Sequence, residues 1–373
     1  MSTSLPLRTR PPKKRWWESR WLRRLSFLSL VLMAALLWFF MLGPGLEYRR
    51  MAAEMILSSQ HRQWAWITFL SPQELQSIDD NIARPAFKNV IPDDDRNHSA
   101  LDHTALDGSI EPLDPAVPVT ETPAKKLIIT LESISAYYGP DHYFRGKILT
   151  VPDPSVIKMV TSKNPHRGEQ IHVLAEQAGA IAAVNANGFH DPEGHGNGGI
   201  PLGIIIADGK IVNTPFGGAD VPDYISGLTQ DGRLITGVYS ANKLIKMGVM
   251  HAGGFKPQLI VNGEKMITKG DGGWGIGPRA AIAQRKDGSI LFVVIEGRQV
   301  QSLGATLKDV QDLLYERGAV QAMALDGGSS AIMYVDGQTV TIPSSKGHVS
   351  RYLPNAWVVV VPEDRDYDIV VTD

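Results

Sequence analysis

The sequence predicts an α+β fold: a curved, largely antiparallel sheet core with packed helices, preceded by an N-terminal transmembrane helix. Three observations carry that expectation. Short apolar runs hinge on Asp-Gly or Asn-Gly pairs, two segments among them space their apolar residues for a helix, and an uncharged eighteen-residue stretch lies near the N-terminus.

Eight basic residues (Arg8, Arg10, Lys13, Lys14, Arg15, Arg20, Arg23, Arg24) against one acid, Glu18, make residues 1–24 a basic tail. Residues 25–42, Leu25 to Leu42, then carry no charge. At about 1.5 Å per residue they reach about 27 Å, close to the hydrocarbon thickness of a bilayer. The run ends in "MLGPGLEYRR" without a small-x-small cleavage site, so it reads as an uncleaved signal anchor. The basic flank places the N-terminus in the cytoplasm and the chain after Gly43 outside, as a single-pass cell-membrane protein. Trp16, Trp17, Trp21 and Trp38 to Phe40 suit interfacial positions.

Residues 43–90 mix apolar and charged side chains at helical spacing and read as a helical stalk. Residues 91–124, rich in Asp, Pro, Ser and Thr, bury too little to order themselves and read as an acidic linker, Asp93 to Asp95 included. The compact domain is expected over 125–363, with 364–373 a C-terminal tail. Within it, Asp208-Gly209, Asp231-Gly232, Asn262-Gly263, Asp287-Gly288 and Asp336-Gly337 supply the positive φ that two-residue hairpins demand. "GEQIHVLAEQAGA" places Ile171, Leu174 and Ala175 on one helical face. "TLKDVQDLLYERGA" opens on the capping pair Thr306 and Asp309, buries Leu307, Val310, Leu313 and Leu314, and stops at Gly318.

Composition excludes several chemistries. With 37 basic and 39 acidic side chains there is no net charge to hold a polyanion, so nucleic acid is not an expected partner. The absence of cysteine removes thiol nucleophiles, zinc–thiolate sites and iron–sulfur clusters. No cofactor is required. A divalent cation is compatible with the Asp and Asn oxygens, although no ligand spacing defines a metal site.

Four stretches ask for more than a structural role. "AAVNANGFH" ends a short strand on Asn185, Asn187, Gly188, Phe189 and His190, whose amides suit sugar hydroxyls or acetamido groups. "GPRAAIA" sets Arg279 at the opening of a strand, and "LFVVIEGRQV" emits Glu296 and Arg298 from the end of another. "AMALDGGSS" delivers Asp326 from a strand ending at Leu325. Gly327 and Gly328 then let the backbone approach a ligand, and their N–H groups with Ser329 and Ser330 could form an anion-binding concavity.

These stretches, with "VPDPSVI", "GIPLGIIIADGKIV", "SLGATLKDV" and the late "LPNAWVVV", come in an order and spacing that resembles the phosphodiester glycosidase family from about residue 126 to 362. The chain departs from the family pattern at Gly277 (usually Asn), at Glu296 (often Asp, one methylene shorter) and at Ser329 (usually a third glycine). The resemblance implies an extracytoplasmic hydrolase acting on a sugar-1-phosphodiester in a bacterial envelope glycopolymer or exopolysaccharide. A glycan-binding module that has lost catalysis is the alternative. In the first case Arg279 and Arg298 hold the phosphate, Asp326 is nucleophile or base, and Glu296 is a second acid/base or orients an arginine. Asn185, Asn187 and Asn355 bind the sugar, and Phe189 stacks on it.

Overall fold

The computed structural model describes residues 16–43, 45–59, 61–89, 126–137, 143–164, 166–191 and 195–373. The expected linker at 91–124 and most of the basic tail lie outside the described residues. The first helix, Trp16–Met41, begins before the expected span, and its Trp21–Met41 portion is long and apolar enough to cross a membrane.

The domain is built on an eight-stranded sheet. Its central strands run in the order Gln258–Val261, Ala319–Leu325, Arg279–Arg285, Ile290–Ile295, Tyr143–Val151, Leu127–Tyr137, and all these neighbours are antiparallel. The sheet's strands are apolar on both sides because both faces are covered. Along Ile290–Ile295, Ile290, Phe292 and Val294 enter one core, while Leu291, Val293 and Ile295 enter another, as the two-residue period of a strand requires. The first core lies against two five-stranded sheets through Met159, Val184, Met333 and Trp357 from one and Ile205 and Leu228 from the other. The second is closed by Leu307, Val310, Leu313 and Leu314 of the helix Leu307–Glu316. The helix Ile171–Gln177 covers the outside of one five-stranded sheet. A third helix, Ala241–Lys246, which periodicity did not announce in so short a segment, covers the other.

Three of the five expected hairpin turns are two-residue turns with both residues at positive φ: Asp208-Gly209, Asn262-Gly263 and Asp336-Gly337. The other two are wider. At Asp231-Gly232 and Asp287-Gly288 only the glycine is left-handed, and Gly232 and Gly288 donate to the carbonyls of Thr229 and Arg285, three residues back. The expected C-terminal tail is also corrected. Tyr367–Thr372 pairs in parallel with Leu127–Tyr137 and forms the last strand of the large sheet.

The expected stalk is helical but does not stand away from the domain. Gly45–Leu57, a 3₁₀ turn at Arg62–Thr68 and Pro72–Ala83 form a helical block; Ser71 and Glu74 close a capping box at the start of its last helix. Residues 84–89 then run over the domain as a strap. Tyr224 donates to the Pro85 carbonyl at 2.6 Å, Lys88 and Gln258 exchange two bonds of 2.8 Å, and the Val238 N–H donates to Asn89 Oδ1 at 2.8 Å. Helical spacing alone could not show this, since the strap's bonds go to residues more than a hundred positions away.

One contact makes the docking of the block sensitive to pH. Burial first, and then the hydrogen bond and charge of Asp271, push Glu54 up to about 8 from its ordinary 4.5. The native block therefore holds a proton that the undocked chain releases above pH 4.5. Its contribution to docking is complete below pH 4.5 and is lost as pH rises towards 8. Hydrogen exchange of residues 45–83 in the full chain should accelerate between pH 5 and pH 8 beyond the intrinsic rate, and Glu54→Gln should remove that excess.

Candidate functional site

Asp326, Arg279 and Arg298 come from three successive strands of the large sheet. Ala280 lies opposite Leu325, and Arg279 opposite Ile295. Because these neighbours are antiparallel, the end of one strand, the start of the next and the end of the third share a single rim. The chain reaches Leu325 in the large sheet and re-enters a different sheet at Met333. The Asp-Gly-Gly-Ser-Ser segment is the crossover between them, which is why residues poorly suited to a strand stand there.

The rim opens on a cavity of about 1020 Å³ lined by Asp326, Arg279, Arg298, Gly188, Phe189, Gly327, Gly328 and Ser329, among others. The two guanidinium groups flank the glycine pair. A Cβ placed on Gly327 would lie 3.9 Å from Arg279 Nη1, and one on Gly328 would lie 3.7 Å from both terminal nitrogens of Arg298. Gly327 could not carry that Cβ, which would fall 2.9 Å from the Pro278 carbonyl oxygen, and Gly328 has φ +60°. Here the glycines are required by close approach and by backbone conformation.

Arg279 is buried, and Nε and Nη2 donate to the carbonyls of Ala305, Trp274 and Gly275. Nη1 is left on the Gly327 side. Burial lowers this guanidinium to about 10, so it remains cationic at neutral pH. Arg298 sits at φ +59°, a left-handed conformation uncommon for a side chain of its size, and its N–H donates to the Leu303 carbonyl at 3.0 Å. Burial, then the nearby charge of Arg351, lowers its affinity for a proton as well.

Asp326 moves the other way. Removal from water raises its carboxyl to about 6, against the opposing effects of the Ser330 hydroxyl, the Arg351 charge and the Gly327 N–H. Its own N–H donates to the Ala186 carbonyl at 3.0 Å, which fixes the turn. The expected anion concavity is thus partly used by the protein itself. The Gly328 N–H donates to the Pro278 carbonyl at 2.9 Å.

The asparagines do not reach the cavity. Asn185 Nδ2 donates to the Asp326 carbonyl at 2.6 Å, and its Oδ1 accepts from the Ile332 N–H at 3.1 Å. Asn187 Nδ2 donates to the carbonyls of Leu202 and Ile204, while its Oδ1 accepts from Asn355 Nδ2 at 2.8 Å; Asn355 Oδ1 in turn accepts from the Asn187 N–H. All three are buried and saturated by protein groups. They hold the segments around the site instead of offering amides to a sugar. Glu296 is buried too, its Oε1 accepting from the Ile342 N–H at 2.9 Å and its carbonyl accepting from Ser302 Oγ at 2.7 Å. It stands behind the cavity wall, where it ties the Arg298 segment to residue 342. His190 is exposed outside the cavity, and Ser330 is buried beside Asp326.

Several cavity residues escaped sequence reasoning. Arg351 pairs with Asp191 at 2.8 Å and lies 4.9 Å over the Phe189 ring, adding a third guanidinium. Its signal was the one that singled out Arg279, an arginine shortly before an apolar strand, here Asn355–Val359. Phe255 and Trp274 supply aromatic walls, their ring centroids 6.0 Å apart. His61, Arg62 and Ile82 come from the helical block. Among the described residues no group of three or more His, Asp or Glu side chains is gathered closely enough to hold a metal ion.

Residues 178–360 match the family model described as phosphodiester glycosidase. A curated relative, the SPβ prophage-derived uncharacterized protein YomE of Bacillus subtilis (strain 168), is 26% identical over 209 residues, covering 52% of this chain and 30% of the relative. The chain thus spans under a third of that relative's length. Among solved structures, the fold is shared with the zebrafish N-acetylglucosamine-1-phosphodiester alpha-N-acetylglucosaminidase catalytic domain auto-inhibited by its pro-peptide. That likeness has a TM-score of 0.55 and 22% identity over 65% of this chain and 85% of that one. A hypothetical protein from Synechocystis matches with a TM-score of 0.47 and 15% identity over 61% of each chain.

Two stability measurements separate the supporting residues from the reactive one. Asn187→Ala strands the Ile204 carbonyl and the Asn355 amide in the interior and frees the Leu202 carbonyl, so it should cost about 2–4 kcal/mol in urea unfolding. Asp326→Asn should do the reverse. The native carboxyl's raised affinity for a proton means its stability contribution is complete below about pH 3.8 and lost by about pH 6. The neutral amide keeps that contribution, so the variant should be roughly 1–3 kcal/mol more stable at pH 7, with the difference vanishing towards pH 4.

Proposed function

Residues 178–360 belong to the phosphodiester glycosidase family, and from that premise we propose that this chain is a membrane-anchored hydrolase. Its reaction is cleavage of the bond between a sugar's anomeric carbon and a phosphodiester oxygen, in an envelope glycopolymer or exopolysaccharide. The basic tail before the span argues for a domain held outside the membrane. The observation that carries the reading is the meeting of Arg279, Arg298 and the Asp326 carboxyl in one cavity.

The chemistry follows from the leaving group. A phosphodiester carries one negative charge, and hydrolysis at the anomeric carbon releases a phosphate monoester, which gains charge with a second pKa near 6. Such a group departs without a strong general acid, unlike an ordinary glycoside, where two carboxyl groups share the work. The absence of Glu296 from the cavity lining is compatible with that demand. What the reaction needs is cationic donors that bind the phosphate more strongly as its charge grows. Arg279 Nη1, on a buried guanidinium held by backbone carbonyls, and the exposed fork of Arg298 both suit this. Asp326 takes a proton from the water that attacks the anomeric carbon, a task matched to a pKa close to working pH. Phe189 and the Phe255–Trp274 wall offer apolar faces to the sugar ring.

N-acetylglucosamine, the sugar in the zebrafish relative's name, is the first to test. The purified full chain, given an N-acetylglucosaminyl phosphodiester, should release a phosphate monoester and free sugar. Arg298→Ala should lower kcat/KM by about 10²–10³, and Asp326→Asn by about 10²–10⁴, with far-UV circular dichroism unchanged. Wild-type kcat/KM should rise through pH 6 as Asp326 ionises. Tight binding of glycosyl phosphodiesters without turnover by the wild type would replace the hydrolase with a glycan-binding module.

A further inference from the structure

The helical block after the membrane helix carries a patch that the proposed reaction does not use. Trp64, Trp66, Ile67 and Phe69 are 58%, 68%, 43% and 69% exposed. In a 3₁₀ turn side chains three apart align, so Trp64 and Ile67 form one row and Trp66 and Phe69 its neighbour. Four large apolar side chains within six residues, with no acid between His61 and Leu70, are not an ordinary aqueous surface.

The patch is fastened to the end of the membrane helix. The Arg49 guanidinium donates to the Phe40 carbonyl at 3.0 Å, to the Thr68 carbonyl at 2.7 Å and to the Phe69 carbonyl. One side chain therefore clamps the last turn of Trp16–Met41 to the aromatic turn. Phe69 is held at φ +55°, and its N–H donates to the Trp66 carbonyl at 3.1 Å. A left-handed phenylalanine persists only where its surroundings fix it.

We infer that Trp64, Trp66, Ile67 and Phe69 lie in the bilayer interface, and that they set the mouth of the cavity against the membrane, where it takes a lipid-linked glycosyl phosphodiester. The substrate half of this inference rests on the hydrolase reading above. Two observations argue for lipid as the occupant. The patch is continuous with the span through Arg49, and it has the tryptophan-rich composition of membrane interfaces. His61 and Arg62 line the cavity. Arg62 and Trp64 are two residues apart, about 4 Å along a 3₁₀ turn, so cavity wall and aromatic patch are contiguous.

Because the chain has no cysteine, single cysteines at Trp64, Trp66 and Phe69 can each carry a nitroxide in the full chain, reconstituted in phosphatidylethanolamine–phosphatidylglycerol vesicles. Lys286, exposed in the turn at the far end of the strand from Arg279, is the control. The three patch labels should relax faster with oxygen than with a water-soluble nickel chelate, and the Lys286 label the reverse. Patch labels as open to the chelate as Lys286 overturn the membrane half.

For the substrate half, the variant W64S/W66S/F69S is compared with wild type on two probes, the hexadecyl and the methyl phosphodiesters of N-acetylglucosamine, in the same vesicles. The variant should lose roughly tenfold or more on the hexadecyl probe, where membrane co-localisation raises effective concentration, and stay within about twofold on the methyl probe. Equal loss on both probes, or on neither, overturns the substrate class. A wild type inert towards both overturns the hydrolase reading and the substrate half with it, while the label depths still decide the membrane half.

Discussion

The antiparallel register of three strands, Ala319–Leu325, Arg279–Arg285 and Ile290–Ile295, is the constraint on which the candidate site depends. It turns three segments distant in sequence into one rim. A slip by one residue would turn every side chain to the opposite face and separate the two cores that alternate along Ile290–Ile295. The register is thus fixed by hydrophobic burial on both faces. The site inherits its geometry from packing that has no chemical role.

That rigidity permits an electrostatically unfavourable arrangement. Arg279 is drawn out of water and disfavoured as a cation, Asp326 is disfavoured as an anion, and Arg298, though exposed, faces the like charge of Arg351. Groups held this way are stabilised by a ligand of complementary charge, so an entering phosphate relieves part of the cost of burial. The carbonyls of Ala305, Trp274 and Gly275 keep Arg279 from turning away in the meantime. Arg351 extends the positive field to the other side of Asp326, while its own pairing with Asp191 anchors it.

What was legible in the sequence divides along a physical line. Local signals were read correctly: Thr306 and Asp309 do form a capping box, and the strand before Asp326 does end at Leu325. So was the convergence of Arg279, Arg298 and Asp326, because each stood at the tip of an apolar run. Polar residues in loops were less legible. An asparagine's hydrogen-bond capacity is the same whether it faces a sugar or a buried carbonyl, and only the fold shows that Leu202 and Ile204 take the donors of Asn187. Glu296 failed for the same reason, its partner being the backbone of Ile342, 46 residues on. The strand Tyr367–Thr372 was hidden because its apolar run, Ile369 to Val371, is only three residues long and stands at an exposed edge close to the charged residues 363–366.

The helical block joins two titrations that act in opposite senses. In the proposed reaction Asp326 must lose its proton to serve as a base, and burial delays this until about pH 6. Protonated Glu54 favours docking of the cavity wall, a contribution that fades between pH 4.5 and about pH 8. Between about pH 6 and pH 8 the base is charged while part of that contribution still holds the wall bearing His61 and Arg62. The same physical cause, desolvation of a carboxyl, opens the window at one end and closes it at the other. Glu54 and Arg279 meet at Gly275, whose backbone moderates the shift of the Glu54 carboxyl and whose carbonyl accepts from Arg279. Release of the block would therefore remove a wall and loosen the segment whose Gly275 carbonyl holds Arg279. On this reading the anchor, the block and the guanidinium form one mechanical series, running from the end of the membrane helix at Phe40 through Arg49 and Glu54 to Arg279.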